Sequence, residues 1–184
     1  MVVAVKKGED IVVGISTIET YSGMTAGDKL HPDNVPCWKV SGEDDCFVFS
    51  DRSSLMVDAL RYNSHIFRGI TDYNSLVNKV VPKMKDFLGK MNYLLRDEDM
   101  NTELVIVKGN KLYDINYDFM VTEVDGWVST DWQGNIGGAY EVSKHLSAED
   151  IVLSAYRNGV GHDYNFFPLI MFDNRSKKQR IISG

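Results

Sequence analysis

The chain opens with two short runs of apolar, mostly β-branched residues at positions 2–5 and 11–15, which flank a polar stretch at positions 6–10. Such residues favour strands, and Gly8 within the polar stretch favours a turn. The pattern therefore predicts a β-hairpin that begins at the first residue. We expect no leader or linker before it, so that the amino terminus lies on the sheet that forms the core.

A polar stretch rich in Gly, Pro, Asn and Asp follows at positions 17–36 and predicts a surface loop. Two more strand-like runs lie at positions 37–40 and 46–49, and an acidic turn at positions 41–45 joins them. We therefore predict that the first third of the chain is a four-strand meander.

The apolar spacing then changes to three and four residues, which is typical of amphipathic helices. It predicts a first helix over residues 50–67. Three polar residues near its start are candidate caps: Ser50, Asp51 and Ser53. A second helix is predicted from about Asn74 to Leu95. Pro82 lacks the amide hydrogen that a helix interior needs, so we expect a kink or a break near Val81.

Strand-like runs return at residues 102–108, 111–115 and, as a third candidate, 119–124. The Gly109-Asn110 pair between the first two predicts a tight hairpin turn. Two helices should follow, a short one over residues 139–145 and a longer one that opens with a variant capping box at Ser147 and ends near Gly159. The last predicted strands lie at residues 166–172 and 180–183.

The predicted order is four strands, two helices, two or three strands, two helices and two strands. Segregated runs of strands and helices favour stacked antiparallel sheets, because each sheet can be covered by the other sheet on one face and by helices on the other. A chain of 184 residues suits one domain. We therefore predict an α+β fold, a four-layer α-β-β-α sandwich of two antiparallel sheets, as a single domain over residues 1–184.

Composition narrows the function classes. The formal net charge is −6, which disfavours a nonspecific nucleic-acid binder because phosphate neutralisation needs a surplus of Lys and Arg. The basic run at residues 175–180 is interpreted as a solvated turn between two strands. No apolar run approaches the ~20 residues that a membrane span needs. We therefore expect a cytoplasmic protein that binds neither nucleic acid nor membranes.

The metal-binding and redox residue types show no site pattern. Cys37 and Cys46 are interpreted as thiols of a reducing compartment rather than as a disulfide. The four histidines lack a metal-ligand spacing such as His-Glu-x-x-His. We therefore expect no metal and no cofactor.

Three stretches, taken in their order along the chain, carry a resemblance to a known family. They are the opening hairpin, the Lys39-Val40 pair, and the stretch from Trp127-Val128-Ser129 to Ile136-Gly137-Gly138-Ala139-Tyr140. Together they resemble the proteasome β-subunit and HslV family of N-terminal nucleophile hydrolases. The resemblance covers nearly the whole chain and implies the sandwich fold predicted above.

The resemblance also implies a mechanism. The first residue of such a chain attacks a carbonyl with a hydroxyl or thiol, and its own α-amino group acts as the general base. Here the chain starts with Met1 and Val2, and neither side chain carries a nucleophilic atom. Lys39 and Ser129 stand at positions that the resemblance identifies as catalytic, and we interpret them as remnants of that site.

Other positions depart from the family's pattern. Ser16 stands where the resemblance implies an acidic residue, and Asp51 would oppose the negative charge of an oxyanion. Arg157-Asn158 stands where Arg-Asp is implied. The resemblance therefore predicts a proteasome-subunit-like protein without peptidase activity. It would act as a homo-oligomer, with a ring as one form, or as a subunit that binds a protein partner.

Two other nucleophiles leave an alternative open. Cleavage before Ser16 or Thr17 would expose a new hydroxyl-bearing terminus, although it would remove hairpin strands. Cys37 could form a Cys-His-Asp site with His31 and Asp33, although these are first of all strand and turn residues. The alternative function is an active threonine- or serine-type peptidase or amidohydrolase of the same fold.

Six aromatic residues cluster in the second half of the chain: Tyr113, Tyr117, Phe119, Trp127, Trp132 and Tyr140. Such a cluster most often belongs to the core. A second interpretation is a subunit interface, where aromatic residues are enriched. The resemblance favours this second interpretation, because members of the family assemble into rings.

Overall fold

The structure is a computed structural model. It describes residues 1–16, 36–52, 54–94, 99–130, 140, 143–158 and 168–183. The chain divides into two compact units, one formed by Met1–Val35 with Asp125–Gly184 and the other by Pro36–Val124. Most of the loop predicted at residues 17–36 lies outside the described residues, as do residues 139, 141 and 142 of the helix predicted at residues 139–145.

The first unit contains an antiparallel sheet. Its described strands are β1 (Val2–Lys7), β2 (Asp10–Ser16), β8 (Trp127–Ser129), β9 (Leu169–Asp173) and β10 (Lys178–Ile182). They lie in the order β10-β9-β2-β1-β8. The predicted opening hairpin is confirmed as the β1–β2 pair, in which Val2 lies opposite Ile15.

The helix α4 (Ala148–Asn158) packs on this sheet. Its start agrees with the predicted capping box, since the Asp150 amide donates to Ser147 Oγ at 3.1 Å. Gly14 on β2 lets the helix approach closely: a Cβ atom at that position would lie 2.7 Å from both Tyr156 Cε2 and Val152 Cγ1. The small residue is therefore required by packing rather than by backbone conformation.

The second unit contains the other antiparallel sheet. Its described strands are β3 (Cys37–Lys39), β4 (Cys46–Ser50), β5 (Leu104–Lys108), β6 (Lys111–Ile115) and β7 (Val121–Glu123). They lie in chain order, each antiparallel to the next. The prediction of an α+β fold with two antiparallel sheets and helices is thus confirmed.

The predicted four-strand meander is wrong. β1 and β2 belong to one sheet, whereas β3 and β4 belong to the other. Each hairpin extends through a strand that is distant in sequence, since β2 pairs with β9 and β4 pairs with β5. Local patterns specify a hairpin, but they carry no information about which remote strand it meets.

The first helix of the second unit is shorter than predicted. Ser50 ends β4, and α1 covers only Leu55–Tyr62, followed by a 3-10 turn at Ser64–Phe67. Ser54 rather than an earlier residue caps α1, because its side chain accepts a hydrogen bond from the Val57 amide at 3.2 Å.

The irregularity expected near Pro82 takes the form of a π turn. A short α2 (Tyr73–Ser75) leads into this turn at Leu76–Val80, and α3 (Val81–Lys90) follows. Pro82 lies in the first turn of α3, where a missing amide hydrogen is tolerated. Among the described helices, none is both long and apolar enough to cross a membrane.

The helices and sheet of the second unit share an apolar core. The sheet contributes Trp38, Val48, Ile106 and Tyr113, and the helices contribute Leu60, Leu76, Met84 and Leu88, among others. The aromatic residues that cluster in the sequence differ in their burial in the structure. Tyr113 and Phe119 are buried in this core, Tyr117 is exposed, and Trp132 lies outside the described residues.

Candidate functional site

The start of β1, where the resemblance places the chemistry, is hydrogen-bonded to the strands on both sides. The Ser16 amide donates to the Met1 carbonyl at 3.1 Å. On the other side the Val2 amide donates to Thr130 Oγ1 at 3.0 Å, and the Thr130 amide donates to the Val2 carbonyl at 3.1 Å. Val2 is fully buried. These bonds therefore hold the first two residues as part of the sheet.

Tyr156 on α4 connects the start of β1 to the helix through hydrogen bonds. Its hydroxyl lies 3.0 Å from the Met1 carbonyl oxygen and 2.7 Å from that of Gly14, so one donor serves two acceptors. The Met1 side chain packs against the apolar cluster beneath α4. Met1 thus contributes a thioether to this core, and a thioether has no proton to lose on attacking a carbonyl.

Ser129 lies beside the start of β1. It is opposite Val3 in the β1–β8 pair and is partly buried. Residues directly opposite in an antiparallel pair share a face of the sheet, and Val3 contacts the cluster under α4. Ser129 therefore lies on the face covered by α4. Its catalytic role stays a prediction.

Lys39 lies on β3, in the other unit. Its Nζ is 2.9 Å from Asp44 Oδ1, and the two side chains are 51% and 97% exposed. Solvent screens so exposed a pair, which contributes about 0–1 kcal/mol. Within its unit the ammonium is thus an ion-pair partner of the β3–β4 turn, and a role as a catalytic lysine stays a prediction.

The two thiols are poorly suited to nucleophilic attack. Burial raises the pKa of Cys37 to about 12 and that of Cys46 to about 12. Because the thiolate is the reactive form, both thiols are unreactive near neutral pH. This disfavours the Cys37 alternative, whose proposed partners His31 and Asp33 lie outside the described residues.

Cleavage before Ser16 meets a structural obstacle. β1 and β2 are interior strands of their sheet, and Ser16 is the last residue of β2. A cut at this point would remove β1 and nearly all of β2. The sheet would lose the pairing that links β9 to β8, so this route to a new nucleophile is disfavoured.

A carboxylate network lies at the end of β4, in the second unit. Thr102 Oγ1 donates to the Asp51 carboxylate and lies 2.7 Å from Ser50 Oγ. The Glu103 amide donates to the same carboxylate at 3.3 Å. The β4–β5 register places Ser50 opposite Leu104, which brings these residues together. The negative charge of Asp51 is therefore held by hydrogen bonds at this sheet end.

Two neighbouring carboxyl groups titrate far above their usual range. Burial, then the Asp114 and Asp51 carboxylates, raises the pKa of Glu103 to about 7. Burial raises the pKa of Asp114 to about 6, and its Oδ1 is buried without a hydrogen-bond partner among the described residues. Each of these carboxyls therefore changes its protonation state closer to neutral pH than an ordinary carboxyl does. The described residues contain no cluster of His, Cys, Asp and Glu arranged to hold a metal ion.

Solved structures share this fold. BPH from Thiobacillus denitrificans superposes with a TM-score of 0.67 at 16% identity, over 94% of this chain and 96% of that chain. Anbu from Yersinia bercovieri, described as an ancestral beta-subunit, superposes with a TM-score of 0.66 at 10% identity, over 99% of this chain and 86% of that chain. HslV from Trypanosoma brucei superposes with a TM-score of 0.59 at 14% identity, over 94% of this chain and 97% of that chain.

These likenesses extend along almost the full length of each chain and establish the fold as that of the proteasome-like N-terminal nucleophile hydrolases. At such low identity they establish the fold alone. No family model and no curated protein matches the sequence.

Proposed function

We propose that this chain is a proteasome-subunit-like protein without peptidase activity that assembles with copies of itself. The observation that carries the proposal is the chemistry of β1. Residues 1–15 contain no Ser, Thr or Cys, and the main chain of Met1 and Val2 is bonded to β2, β8 and α4. The start of this strand therefore forms part of the sheet and presents no nucleophilic side chain.

The environment of Lys39 supports the same proposal. A lysine that assists an N-terminal nucleophile must act on the reacting groups, whereas this ammonium has an exposed carboxylate as its partner at 2.9 Å. The lysine is thus suited to a surface ion pair.

The exposed face of α1 supports self-assembly. Leu55 and Tyr62 are seven residues apart, which places them on one side of the helix, and they are 75% and 86% exposed. Large apolar side chains grouped on a surface mark an interaction site more often than scattered ones do. The fold is shared with a protein described as a β-subunit, which makes a second copy of this chain the partner that we propose.

A peptide-hydrolysis assay tests whether the chain lacks peptidase activity. The purified chain would be incubated with a panel of fluorogenic peptides, with Thiobacillus denitrificans BPH assayed in parallel and the Lys39→Ala variant as the background. We expect the same signal from the wild type and the variant. Turnover by the wild type that disappears in Lys39→Ala would overturn the proposal.

Light scattering after size-exclusion chromatography tests assembly. We expect the mass of at least two chains of 20.8 kDa each. The double variant Leu55→Ser/Tyr62→Ser should have a smaller mass. Met120→Ser, at a side chain that is 58% exposed elsewhere in the same unit, is the matched control and should leave the mass unchanged. A monomeric wild type would refute self-assembly.

A further inference from the structure

The strand β7 (Val121–Glu123) is an edge strand of the second sheet. Among the described strands, β6 pairs with it on one side and none pairs with it on the other. Thr122 and Glu123 are exposed, whereas Val121 belongs to the apolar core of its unit. One side of this strand is therefore open to a further strand.

The register of β6 and β7 fixes which main-chain groups face outward. The Val124 amide donates to the Leu112 carbonyl at 2.8 Å, and the Asn116 amide donates to the Met120 carbonyl at 3.1 Å. In an antiparallel pair, residues that bond to the neighbouring strand alternate with residues whose main chain points away from it. The even-numbered residues of this segment therefore bond to β6, and the main-chain groups of the odd-numbered residues point away from it.

These outward groups belong to Val121 and Glu123. Their main-chain N–H and C=O groups form no hydrogen bond to any described residue. An edge strand with such groups is a template on which another strand can add. Two donors and two acceptors are thus available along β7.

The charged residue of β7 is neutralised within the chain. Natural edge strands often carry charged side chains that prevent pairing with another strand. Here the Glu123 carboxylate accepts a hydrogen bond from Lys111 Nζ on β6. Because this ion pair has no net charge, it presents no net charge to a strand that approaches the edge.

We propose that β7 pairs antiparallel with β7 of a second copy of this chain. The two outward residues lie one on each side of Thr122, so a two-fold axis at Thr122 would place Val121 of each copy opposite Glu123 of the other. Each such pair exchanges two hydrogen bonds, which gives four across the axis. The inference rests on the self-assembly proposed above and gives it a second surface, separate from the exposed face of α1.

A second copy fits this edge better than a flexible peptide does. A two-fold contact uses the same patch on both chains, and the outward groups of β7 are complementary to themselves about Thr122. The strand of the copy is already extended within its own sheet, whereas a peptide would lose conformational freedom on binding. The pairing also sets Glu123 opposite Val121 and not opposite a like charge. Tyr73 on α2, the helix that lies beside β7, is 40% exposed and adds apolar surface near the edge.

A disulfide at position 122 tests this pairing. Opposite residues that do not exchange hydrogen bonds lie about 4.5 Å apart at Cα, which is within the range that a disulfide spans. Thr122→Cys would be oxidised in a glutathione redox buffer, and the linked dimer would be measured on a non-reducing gel. Ser41→Cys, at an exposed serine in the turn between β3 and β4, is the matched control, and the native Cys37 and Cys46 are buried. We expect roughly tenfold more dimer from Thr122→Cys than from Ser41→Cys.

A proline distinguishes main-chain pairing from side-chain contact. Glu123→Pro removes an outward N–H that β6 does not use, and edge strands tolerate proline at such positions. Glu123→Ala removes the same side chain but keeps the N–H. In the Thr122→Cys chain we expect roughly fivefold less linked dimer with Glu123→Pro than with Glu123→Ala. Because the contact uses main-chain atoms, Met120→Ser should leave the dimer yield unchanged.

Both comparisons would be made in the Leu55→Ser/Tyr62→Ser background, which removes the contact proposed for α1. Equal dimer yields for Thr122→Cys and Ser41→Cys, or for Glu123→Pro and Glu123→Ala, would overturn the pairing. A wild type of at least two chains by light scattering would then leave self-assembly standing, so the two proposals fail separately. Urea denaturation checks that Glu123→Pro is folded, and if it is not, the comparison with Ser41→Cys decides.

Discussion

Two buried polar networks in this protein use opposite chemistry. The network at the start of β1 is neutral, because a phenol, a threonine hydroxyl and backbone groups satisfy one another around Met1. The network at the end of β4 contains Asp51, Glu103 and Asp114, and the pKa values of the latter two are raised by burial. The hydrogen bonds at the start of β1 should stabilise the fold at both acidic and neutral pH, whereas ionisation of Glu103 and Asp114 should weaken it as the pH rises.

The contrast also bears on function. An N-terminal nucleophile needs a proton acceptor and a reactive hydroxyl at the start of β1, yet this place is filled by structural hydrogen bonds. The titratable carboxyls are in the other unit, on a network whose described members include no thiol or lysine. The carboxyls with raised pKa values and the start of β1 thus belong to different units of the chain.

The largest effect is expected for Gly14→Ala. The added Cβ would lie 2.7 Å from Tyr156 and Val152, so α4 must move away from β2. Overpacking of this kind lowers the free energy of unfolding by about 1–3 kcal/mol, and contact with two buried side chains at once places this case near the upper end. Urea denaturation measures it.

Gly89→Ala on α3 is the matched control. Its nearest neighbour would be Leu94 Cδ1 at 3.8 Å, so we expect no loss and a gain of up to about 1 kcal/mol from helix propensity. Equal effects at Gly14 and Gly89 would show that the close contact between α4 and β2 is absent.

Tyr156→Phe should have the next largest effect. The variant leaves the partly buried Met1 carbonyl and the buried Gly14 carbonyl without their phenol donor, which costs about 1–2 kcal/mol of unfolding free energy. Because the network is neutral, the loss should be the same at pH 5 and pH 8. A loss that changes with pH would contradict this comparison of the two networks. Tyr117→Phe, at an exposed side chain outside the proposed assembly face, is the control.

Glu103→Gln should act in the opposite direction and depend on pH. The unfolded chain releases this proton near the ordinary pKa of 4.5 and the folded chain near 7, so stability falls as the pH rises between these values. The variant should therefore be more stable than the wild type by about 1 kcal/mol at pH 8, a value discounted because the side chain is only partly buried. The difference should vanish near pH 4.

Denaturation midpoints measured from pH 4 to pH 8 give this difference directly. Glu9→Gln, at an exposed glutamate, is the control and should leave the pH profile unchanged. A variant that is less stable than the wild type at pH 8 would show that ionised Glu103 stabilises the fold.

Lys39→Ala should have the smallest effect. The exposed ion pair with Asp44 contributes little, so the free energy of unfolding should change by less than about 0.5 kcal/mol. Asp44→Ala should change it equally little, and the double variant should show no more than an additive effect in the same urea titrations. A coupling above about 1 kcal/mol would assign Lys39 a structural role that its exposure does not predict.

Local sequence patterns were sufficient to predict several strands and helices of the fold. The apolar runs of β1 and β2, the helical spacing around Leu60 and the capping box at Ser147 each depend on neighbours in the chain, and each forms the predicted element. Pro82 also marks a real irregularity, although its π-turn form depends on the packing of the whole helix.

What the sequence could not predict depends on distant partners. β8 is only three residues long and exists because it pairs with β1, and the split of the first four strands between two sheets depends on β5 and β9. Asp51 and Glu103 are neighbours only in the β4–β5 register. Burial that shifts a pKa is likewise invisible until the fold is known.

The mass of the intact chain, before and after incubation with epoxomicin, tests the central claim most directly. This compound is bound in one of the Thiobacillus denitrificans BPH structures, so that protein is the positive control. We predict that the chain retains residues 1–15, with or without Met1, and that its mass does not rise. A chain that begins at Ser16 or another hydroxyl-bearing residue and gains the mass of one epoxomicin molecule would contradict the account.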